Sequence, residues 1–462
     1  MQYSKEQLDC AYNIHELRAL LTELGGTPSS MKKEEIIKTI LDIQDGVIPV
    51  PKTQGRKTKR EKYREQVIVD YVEDEYEDIA VHNQNVGEVN VTTMLGSTVK
   101  VKGTFEKTDT DHGFLRGDNF KMSSVTDIYV SSSAIRNFHL REGDFVEGYA
   151  VISRDNGAPS LRQVEFINGK DVSDQRKRFT DLEPIFPDER LKLEIVGEND
   201  LSLRAIDILS PIGKGQRALI VSPPKAGKTT LIKKIASSIA KNYPNVYLMV
   251  VLIGERPEEV TDIKRSVCAE LIYSTFDEKA KNHIRISKLA IEKAKRQAES
   301  GKDVVLLIDS ITKLTRAYNE TLPSSGKTLT GGIDPVSLQE PKSFFGSARN
   351  FDGEGSLTVI ATALVDTGSK MDDVIYEEFK GTGNSEIFLS RNLSERRIFP
   401  SIDLYRSGTR RDDLLLSNDE LDLSYNLRRS LDGTKDAEIE VLKLLSSYKT
   451  NEELVKNGGK NL

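Results

Sequence analysis

The chain has 462 residues, 30% of them charged and 37% hydrophobic, with a formal net charge of −6. That length exceeds one compact core and predicts two or three domains, while no apolar run approaches the ~20 residues of a membrane-spanning helix. Cys10 and Cys268, the two cysteines, exclude a disulfide framework or a cysteine-based zinc site; five scattered histidines and an N-terminus without an apolar signal core complete the expectation of a cytoplasmic protein.

In chain order, residues 5–45 carry helical periodicity, with Leu17, Leu20, Leu21 and Leu24 on one face and Ile36, Ile37, Ile40 and Leu41 on another. Gly25-Gly26 and Pro28 separate the two stretches, and Ser29-Ser30 is positioned to cap the second. A polar segment follows, in which a basic block (Gln54 to Arg64) precedes an acidic one (Val72 to Asp78). Such charge blocks predict a solvated linker, although they also show that a negative net charge conceals local cation clusters. From Ser97 to Asn168, short strands alternate with turns: Val99 to Phe105, Asp127 to Val130, Asp144 to Tyr149 and Gln163 to Ile167. That density suggests a small barrel of the OB-fold kind, with a plain β-sandwich as the simpler reading. Beyond Leu201 the texture is α/β. Continuous apolar runs at Ala218–Val221, Tyr247–Ile253, Val304–Ile308 and Leu357–Leu364 alternate with helical stretches such as Thr229–Lys241 and Lys279–Ser300. Buried parallel strands with crossover helices produce that pattern.

The sharpest motif is Ser222-Pro-Pro-Lys-Ala-Gly-Lys-Thr229, between a predicted strand and an amphipathic helix carrying Leu231, Ile232, Ile235 and Ile239. Strand, loop and helix in this order form a P-loop, whose backbone N–H groups cradle phosphates. Lys228 would reach the β- and γ-phosphates, the Thr229 hydroxyl would hold Mg²⁺, and Gly227 would allow close backbone approach. Ser222 replaces the first glycine of the generic pattern. Glu255 and Asp309 each follow an apolar strand, so a parallel sheet would bring both to the edge that carries the P-loop. There Asp309 would orient the metal shell and Glu255 the attacking water. The segment Arg391 to Arg411 is arginine-rich around an apolar centre, which suits either a solvated surface or a residue reaching a neighbour's ATP site. Two glycine-containing loops carry Lys327 and Lys370 and suit a phosphate backbone that is gripped and released, or ordinary turns. In the barrel, Phe114, Arg116 and Tyr129 offer aromatic rings beside a cation, as single-strand binders do.

Long stretches then resemble the bacterial transcription termination factor Rho family. They include SPIGKGQRALIV (Ser210 to Val221), ERPEEVT (Glu255 to Thr261), LIDSITKLTRAYN (Leu307 to Asn319), SGKTLTGG (Ser325 to Gly332), DTGSKMDDVIYEEFKGTGN (Asp366 to Asn384) and RSGTRRDDLL (Arg406 to Leu415). The resemblance implies a homohexameric RNA translocase that threads RNA through its ring on ATP hydrolysis and releases RNA polymerase. It implies Lys225, Ala226, Gly227, Lys228, Thr229 and Thr230 around the phosphates of ATP, with Mg²⁺ on Thr229 and Asp309. Glu255 would be the catalytic glutamate, Arg256 would stand at the site entrance, and Phe399 would pack on adenine. Arg397 and Arg410 would act across the subunit interface, Lys327 and Lys370 would grip RNA in the channel, and Phe114, Arg116 and Tyr129 would bind single-stranded RNA on the barrel. The implied organisation is a helical module (1–48), a charged linker (49–94), an OB-fold RNA-binding barrel (95–170), a connector (171–200), a RecA-like P-loop motor with a mostly parallel sheet (201–425) and a C-terminal helical segment (426–462).

Three positions depart from the family pattern. His112 replaces a common aromatic residue, Arg154 to Ser160 lacks acidic and tyrosine residues linked with cytosine selection, and Gly254 replaces an aspartate. The first two bear on base preference and the third leaves Glu255 in place. Two other readings stay open on sequence alone: a different RecA-like ring such as a rotary ATPase subunit or recombinase, and an RNA-binding assembly protein that uses ATP as a structural ligand.

Overall fold

A computed structural model describes residues 31–44, 98–123, 126–151, 159–431 and 437–458, together with Leu8, Leu17, Arg18, Leu20, Leu21 and Leu24. The Ser29-Ser30 cap, the charge-blocked linker, Cys10 and most of the 154–160 stretch lie outside these residues. Near the N-terminus, α1 (Lys33–Gln44) buries Ile36, Ile37 and Ile40 against Leu8, Leu17 and Leu21, the two faces that the periodicity predicts.

The barrel consists of β1 (Thr98–Lys107), β2 (Gly113–Arg116), β3 (Ile128–Val130), α2 (Ser132–Asn137), β4 (Phe145–Val151), β5 (Ser160–Ile167) and β6 (Lys170–Asp171). Its strand order is β3-β2-β1-β4-β5-β6, and a β3–β5 pairing closes it. Closure hides the sheet edges, and alternate side chains fill the interior: Phe105, Leu115, Val130, Val146, Ala150, Val164 and Ile167. Ser131 starts α2 by accepting the Ala134 N–H.

The motor sheet runs β10-β9-β11-β13-β8-β14-β15. Its members in chain order are β7 (Pro184–Ile185), β8 (Arg217–Ser222), β9 (Tyr247–Glu255), β10 (Glu270–Thr275), β11 (Asp303–Asp309), β12 (Arg349–Phe351), β13 (Ser356–Leu364), β14 (Ser385–Leu389) and β15 (Ile402–Thr409). The strands from β10 to β14 are parallel, β15 is antiparallel to β14, and β12 joins β13 to β7. Alternation along each central strand sends Ala218, Ile220, Val250, Leu252, Val305 and Leu307 to one face, and Leu219, Val221, Val251, Ile253, Leu306 and Ile308 to the other. That is why these strands read as unbroken apolar runs.

Helices cover both faces. On the first lie α3 (Leu201–Leu209), α4 (Lys228–Asn242) and α5 (Pro257–Ser266); α6 (Ala280–Glu299), α7 (Ile311–Thr321), α8 (Gln339–Gly346) and α9 (Lys370–Lys380) lie on the second. After the short α10 (Arg391–Glu395), α11 (Asn418–Ser430), α12 (Ala437–Ser447) and α13 (Asn451–Gly458) return to the first face. A capping box at Ser417 and Glu420 starts α11, and this helix runs unbroken across residue 425, where the sequence suggested a boundary. Arg204 ties the C-terminal helices down through Asn451 at 3.0 Å and the carbonyls of Leu445 and Tyr448 at 2.9 and 2.7 Å.

The barrel docks on α6. Gly143 packs so tightly that a Cβ there would lie 2.4 Å from the Glu292 and Lys293 backbone. Arg141 pairs with Glu299 at 2.6 Å, and Arg285 donates to Glu106 at 2.9 Å. Phe120 and Phe179 insert their rings into the motor core.

Candidate functional site

β8 delivers the chain into the loop 223–227, and α4 begins at Lys228 with Gly227 as its N-cap. Leu231, Ile232, Ile235 and Ile239, spaced at helical intervals, seat α4 on the sheet and fix the direction in which its first-turn N–H groups point. Lys225 and Gly227 both have positive φ, 64° and 91°. At Gly227 a Cβ would meet only Ser401 Oγ, at 3.7 Å, so backbone conformation rather than crowding requires glycine there.

Three strand ends converge beside this loop. Lys228 Nζ lies 2.5 Å from Asp309 Oδ1 and 3.2 Å from Glu255 Oε1. Glu255 is 6% exposed and Asp309 1%. Burial opposes the charge on Lys228, yet the Asp309 carboxylate and then that of Glu255 hold its ammonium above the ordinary lysine range. Burial also pushes the Asp309 carboxyl up; Lys228 draws it back, while Glu255 adds to the rise. Asp309 Oδ1 also accepts the Thr362 hydroxyl at 2.8 Å, whereas its Oδ2 is buried with no hydrogen-bond partner. An orphaned carboxylate oxygen at a phosphate loop fits a hard cation such as Mg²⁺ or a water on that cation. Thr229, half-buried in the first turn of α4, offers a hydroxyl of the same hard-oxygen kind.

Sequence reasoning missed several partners. Lys313 of α7 donates to Glu255 Oε1 at 2.6 Å and to the Gly254 carbonyl at 2.8 Å, so two ammonium groups share one carboxylate oxygen. Gly254 has φ 63°, a conformation suited to glycine and tolerated by aspartate. The arginine-rich segment braces the P-loop through hydroxyls: Ser394 Oγ donates to the Lys225 carbonyl at 3.1 Å and Ser401 Oγ to that of Ala226 at 2.7 Å. Phe399, 55% exposed, stands two residues before Ser401, and Arg397 is also exposed; Arg256 is exposed as the N-cap of α5. Arg410 is elsewhere. Its neighbour Thr409 pairs with Ser385, which pairs with Ala218 near the start of β8, so Arg410 stands at the sheet edge opposite the P-loop. Ser222 lies four strand steps beyond Ala218, roughly 13 Å at strand rise. Arg410 lines a cavity of about 280 Å³ with Glu386, Arg406 and Arg428.

Lys327 and Lys370 are both exposed, and their loops touch. At Gly331 (φ 83°) a Cβ would come within 2.9 Å of the Lys370 carbonyl oxygen. Asp334 holds the first loop by accepting Ser325 N–H at 2.6 Å, and Arg316 holds the second through Asp372 at 2.7 and 2.8 Å.

On the barrel, His112, Phe114 and Tyr129 form a half-buried cluster of three rings with centroids 5.4 to 5.9 Å apart. Thr110 fixes His112 by a 2.8 Å contact to Nδ1. Arg116 differs from the expectation of an RNA-facing cation. It is 6% exposed, its guanidinium lies 4.8 Å from the Phe114 ring centroid, and it pairs with Glu106 at 2.5 Å and with Asp127. Two carboxylates thus engage the side chain beneath the rings.

Comparison with known proteins follows this division into barrel and motor. Residues 101–173 match the Rho termination factor RNA-binding domain, and residues 202–409 match the nucleotide-binding domain of the ATP synthase alpha/beta family. Transcription termination factor Rho of Bacillus subtilis is 52% identical over 74% of this chain and 80% of its own length. The Cereibacter sphaeroides protein of that name is 51% identical over 78% of this chain and 87% of its own, and the one from Aquifex aeolicus 50% identical over 78% and 84%. About half of all aligned residues are shared across both domains, and the chain belongs to the transcription termination factor Rho family.

Proposed function

We propose that the protein is an RNA-dependent ATPase that translocates along single-stranded RNA as a hexameric ring in the cytoplasm and terminates transcription by releasing RNA polymerase. One observation carries the reading most directly: Lys228 lies within 3.2 Å of both Glu255 and Asp309 at the carboxyl edge of a parallel sheet, in the same chain as an RNA-binding barrel.

The chemistry follows from the charges. Backbone N–H groups at the start of α4 and the Lys228 ammonium neutralise the triphosphate of ATP. Lys228 exchanges a carboxylate for a phosphate oxygen as it does so. Thr229 and Asp309 would hold Mg²⁺, which would supply positive charge to neutralise the phosphates. Glu255 accepts a proton from the attacking water; the new P–O bond forms on the γ-phosphorus as the bond to the β-phosphate oxygen breaks, leaving ADP and phosphate. Lys313 orients that carboxylate. Phe399 and Arg256 face the nucleotide from the open side. Arg410, on the opposite sheet edge, serves a neighbouring protomer's site, with Arg397 at the same interface. Lys327 and Lys370 contact the RNA backbone from two loops that pack on each other, while Phe114, Tyr129 and His112 stack bases on the barrel.

Steady-state ATP hydrolysis with and without poly(C), poly(U) and poly(A) tests this, alongside Glu255→Ala. RNA-stimulated turnover that disappears in the variant is expected. Turnover indifferent to every RNA would refute the RNA-motor reading, and the ranking of the three polymers reports base preference in a barrel with histidine at position 112.

A further inference from the structure

The reading just given requires that RNA on the barrel influence Glu255, and one short segment offers the route. β2 carries Phe114 of the ring cluster, and from Arg116 to Phe120 the chain reaches the motor twice directly and once through Glu106 of β1. Arg116, stacked on Phe114, holds Glu106, whose carboxylate also takes Arg285 of α6 at 2.9 and 3.0 Å. Asn119 Oδ1 accepts the Tyr273 N–H of β10 at 2.5 Å. Phe120 is 1% exposed and belongs to the apolar core on the motor's second face, Lys293 lies over its ring, and its carbonyl accepts Arg285 at 2.7 Å. Asn119 and Phe120 both hold positive φ, 54° and 50°, so a conformation that a bulky residue avoids is fixed at the point of insertion.

Both routes end on the strand beside Glu255. Arg285 Nε donates to Asn282 at 3.2 Å, Asn282 donates to Ser274 at 3.2 Å, and the buried His283 ring meets the same hydroxyl at 2.7 Å. Ser274 follows Tyr273 on β10, where it pairs with Ile253, and the next pair is Thr275 with Glu255. The Phe276 N–H then donates to the Glu255 carbonyl at 3.2 Å. A displacement of the 116–120 segment is therefore felt by β10 through side chains on two sides, and by the backbone of Glu255 one pair further on.

We propose that the segment Arg116–Phe120 transmits RNA occupancy of the barrel to Glu255, with Asn119 and Arg285 as positioning residues that touch neither RNA nor ATP. An anchor that merely docked the barrel would change stability and leave the two sites independent. A transmission element couples them, and coupling in binding is reciprocal: ATP must alter RNA affinity by the factor by which RNA alters ATP affinity.

The full-length protein tests this in two measurements: the affinity of a short fluorescein-labelled cytidine RNA with and without a non-hydrolysable ATP analogue and Mg²⁺, and the ratio of RNA-stimulated to RNA-free turnover. Asn119→Gly keeps the positive φ and deletes one hydrogen bond; Arg285→Met removes the charge at similar length, and Arg285→Lys retains it. In the wild type the analogue is expected to shift RNA affinity by about fivefold or more. In Asn119→Gly and Arg285→Met that shift falls to within about twofold of none, while RNA-free turnover stays within about twofold of wild type; Arg285→Lys recovers part of the shift. Folded variants with the wild-type shift and stimulation would overturn the proposal, as would a wild type whose turnover responds to RNA but whose RNA affinity ignores the analogue. A wild type unresponsive to RNA in turnover would instead remove the functional reading beneath it. Should Arg285→Met not fold, Asn119→Gly decides, because its backbone demand is unchanged.

Discussion

Arg116→Met separates a structural arginine from an RNA ligand. In the folded barrel Arg116 lies between Glu106 and Asp127, with all three side chains below 10% exposed. Removing the cation leaves Glu106 with Arg285 at 2.9 Å, but Asp127 retains only the Ser123 N–H at 2.7 Å among the contacts described, and its Oδ1 already has no partner. Breaking a buried pair from one side costs about 3–5 kcal/mol, because an uncompensated charge remains. Amides of β2 and β3 should then exchange with solvent on the order of a hundredfold to several thousandfold faster, as that energy converts at ~1.36 kcal/mol per decade. Asp127→Asn in the same chain should restore part of the protection by removing the stranded charge. RNA affinity also falls, since Phe114 loses its support, but its salt dependence should not change. A lost phosphate contact to single-stranded nucleic acid lowers the slope of log K against log salt by about 0.7, and a lost positioning residue leaves the slope alone. Wild-type exchange protection together with a slope reduced by about 0.7 would refute the argument and return Arg116 to the RNA surface.

Replacing both Ser394 and Ser401 by alanine removes two hydrogen bonds to P-loop carbonyls, each worth about 0.5–1.5 kcal/mol. The KM for ATP should rise by about five- to 150-fold with kcat less affected, and an unchanged KM would show the brace to be idle. Arg410→Ala and Lys228→Ala should each abolish turnover alone, yet regain it when the two variants are mixed into common rings, because the two residues lie on opposite sheet edges of one protomer; failure of every mixing ratio would argue that Arg410 acts elsewhere. Burial pushes the Asp207 carboxyl from 3.8 up to about 7, although it accepts the N–H groups of Leu193 and Glu194. The folded chain therefore holds this proton more tightly than the unfolded one, and the associated stability is complete below pH 3.8 and lost as pH rises through about 7. Between pH 4 and 8, Asp207→Asn should gain on the wild type by on the order of 4 kcal/mol in unfolding experiments, and a difference independent of pH would exclude this titration.

The strands that announce themselves in the sequence are those buried on both faces. β8, β9, β11 and β13 read as apolar runs because helices cover each side, and Lys228, Glu255 and Asp309 stand out because each follows such a run or its loop. β10 and β15, at the two edges of the sheet, read as Glu-Leu-Ile-Tyr-Ser-Thr and Ile-Asp-Leu-Tyr-Arg-Ser-Gly-Thr, too mixed to separate from loop. Thr362 carried a usable signal: a hydroxyl inside the run Leu357–Leu364 is buried in a parallel sheet and needs a partner, which proves to be Asp309. Ser394, Ser401 and Lys313 carried none, since serine and lysine in polar segments are ordinary and only the tertiary fold brings them to the P-loop or to Glu255.

Arg116 shows why residue type underdetermines role. Strand alternation places Phe114 and Arg116 on one face of β2, and that much was legible; whether the face meets RNA or protein depends on what else arrives there. Glu106 comes from the neighbouring strand, Asp127 from the approach to β3, and Arg285 from a helix more than 160 residues away in sequence. Three separate parts of the chain must fold before the arginine is buried. Its position two residues from Phe114 therefore places it on the face of the ring cluster, and the charges that assemble around it bury it beneath those rings.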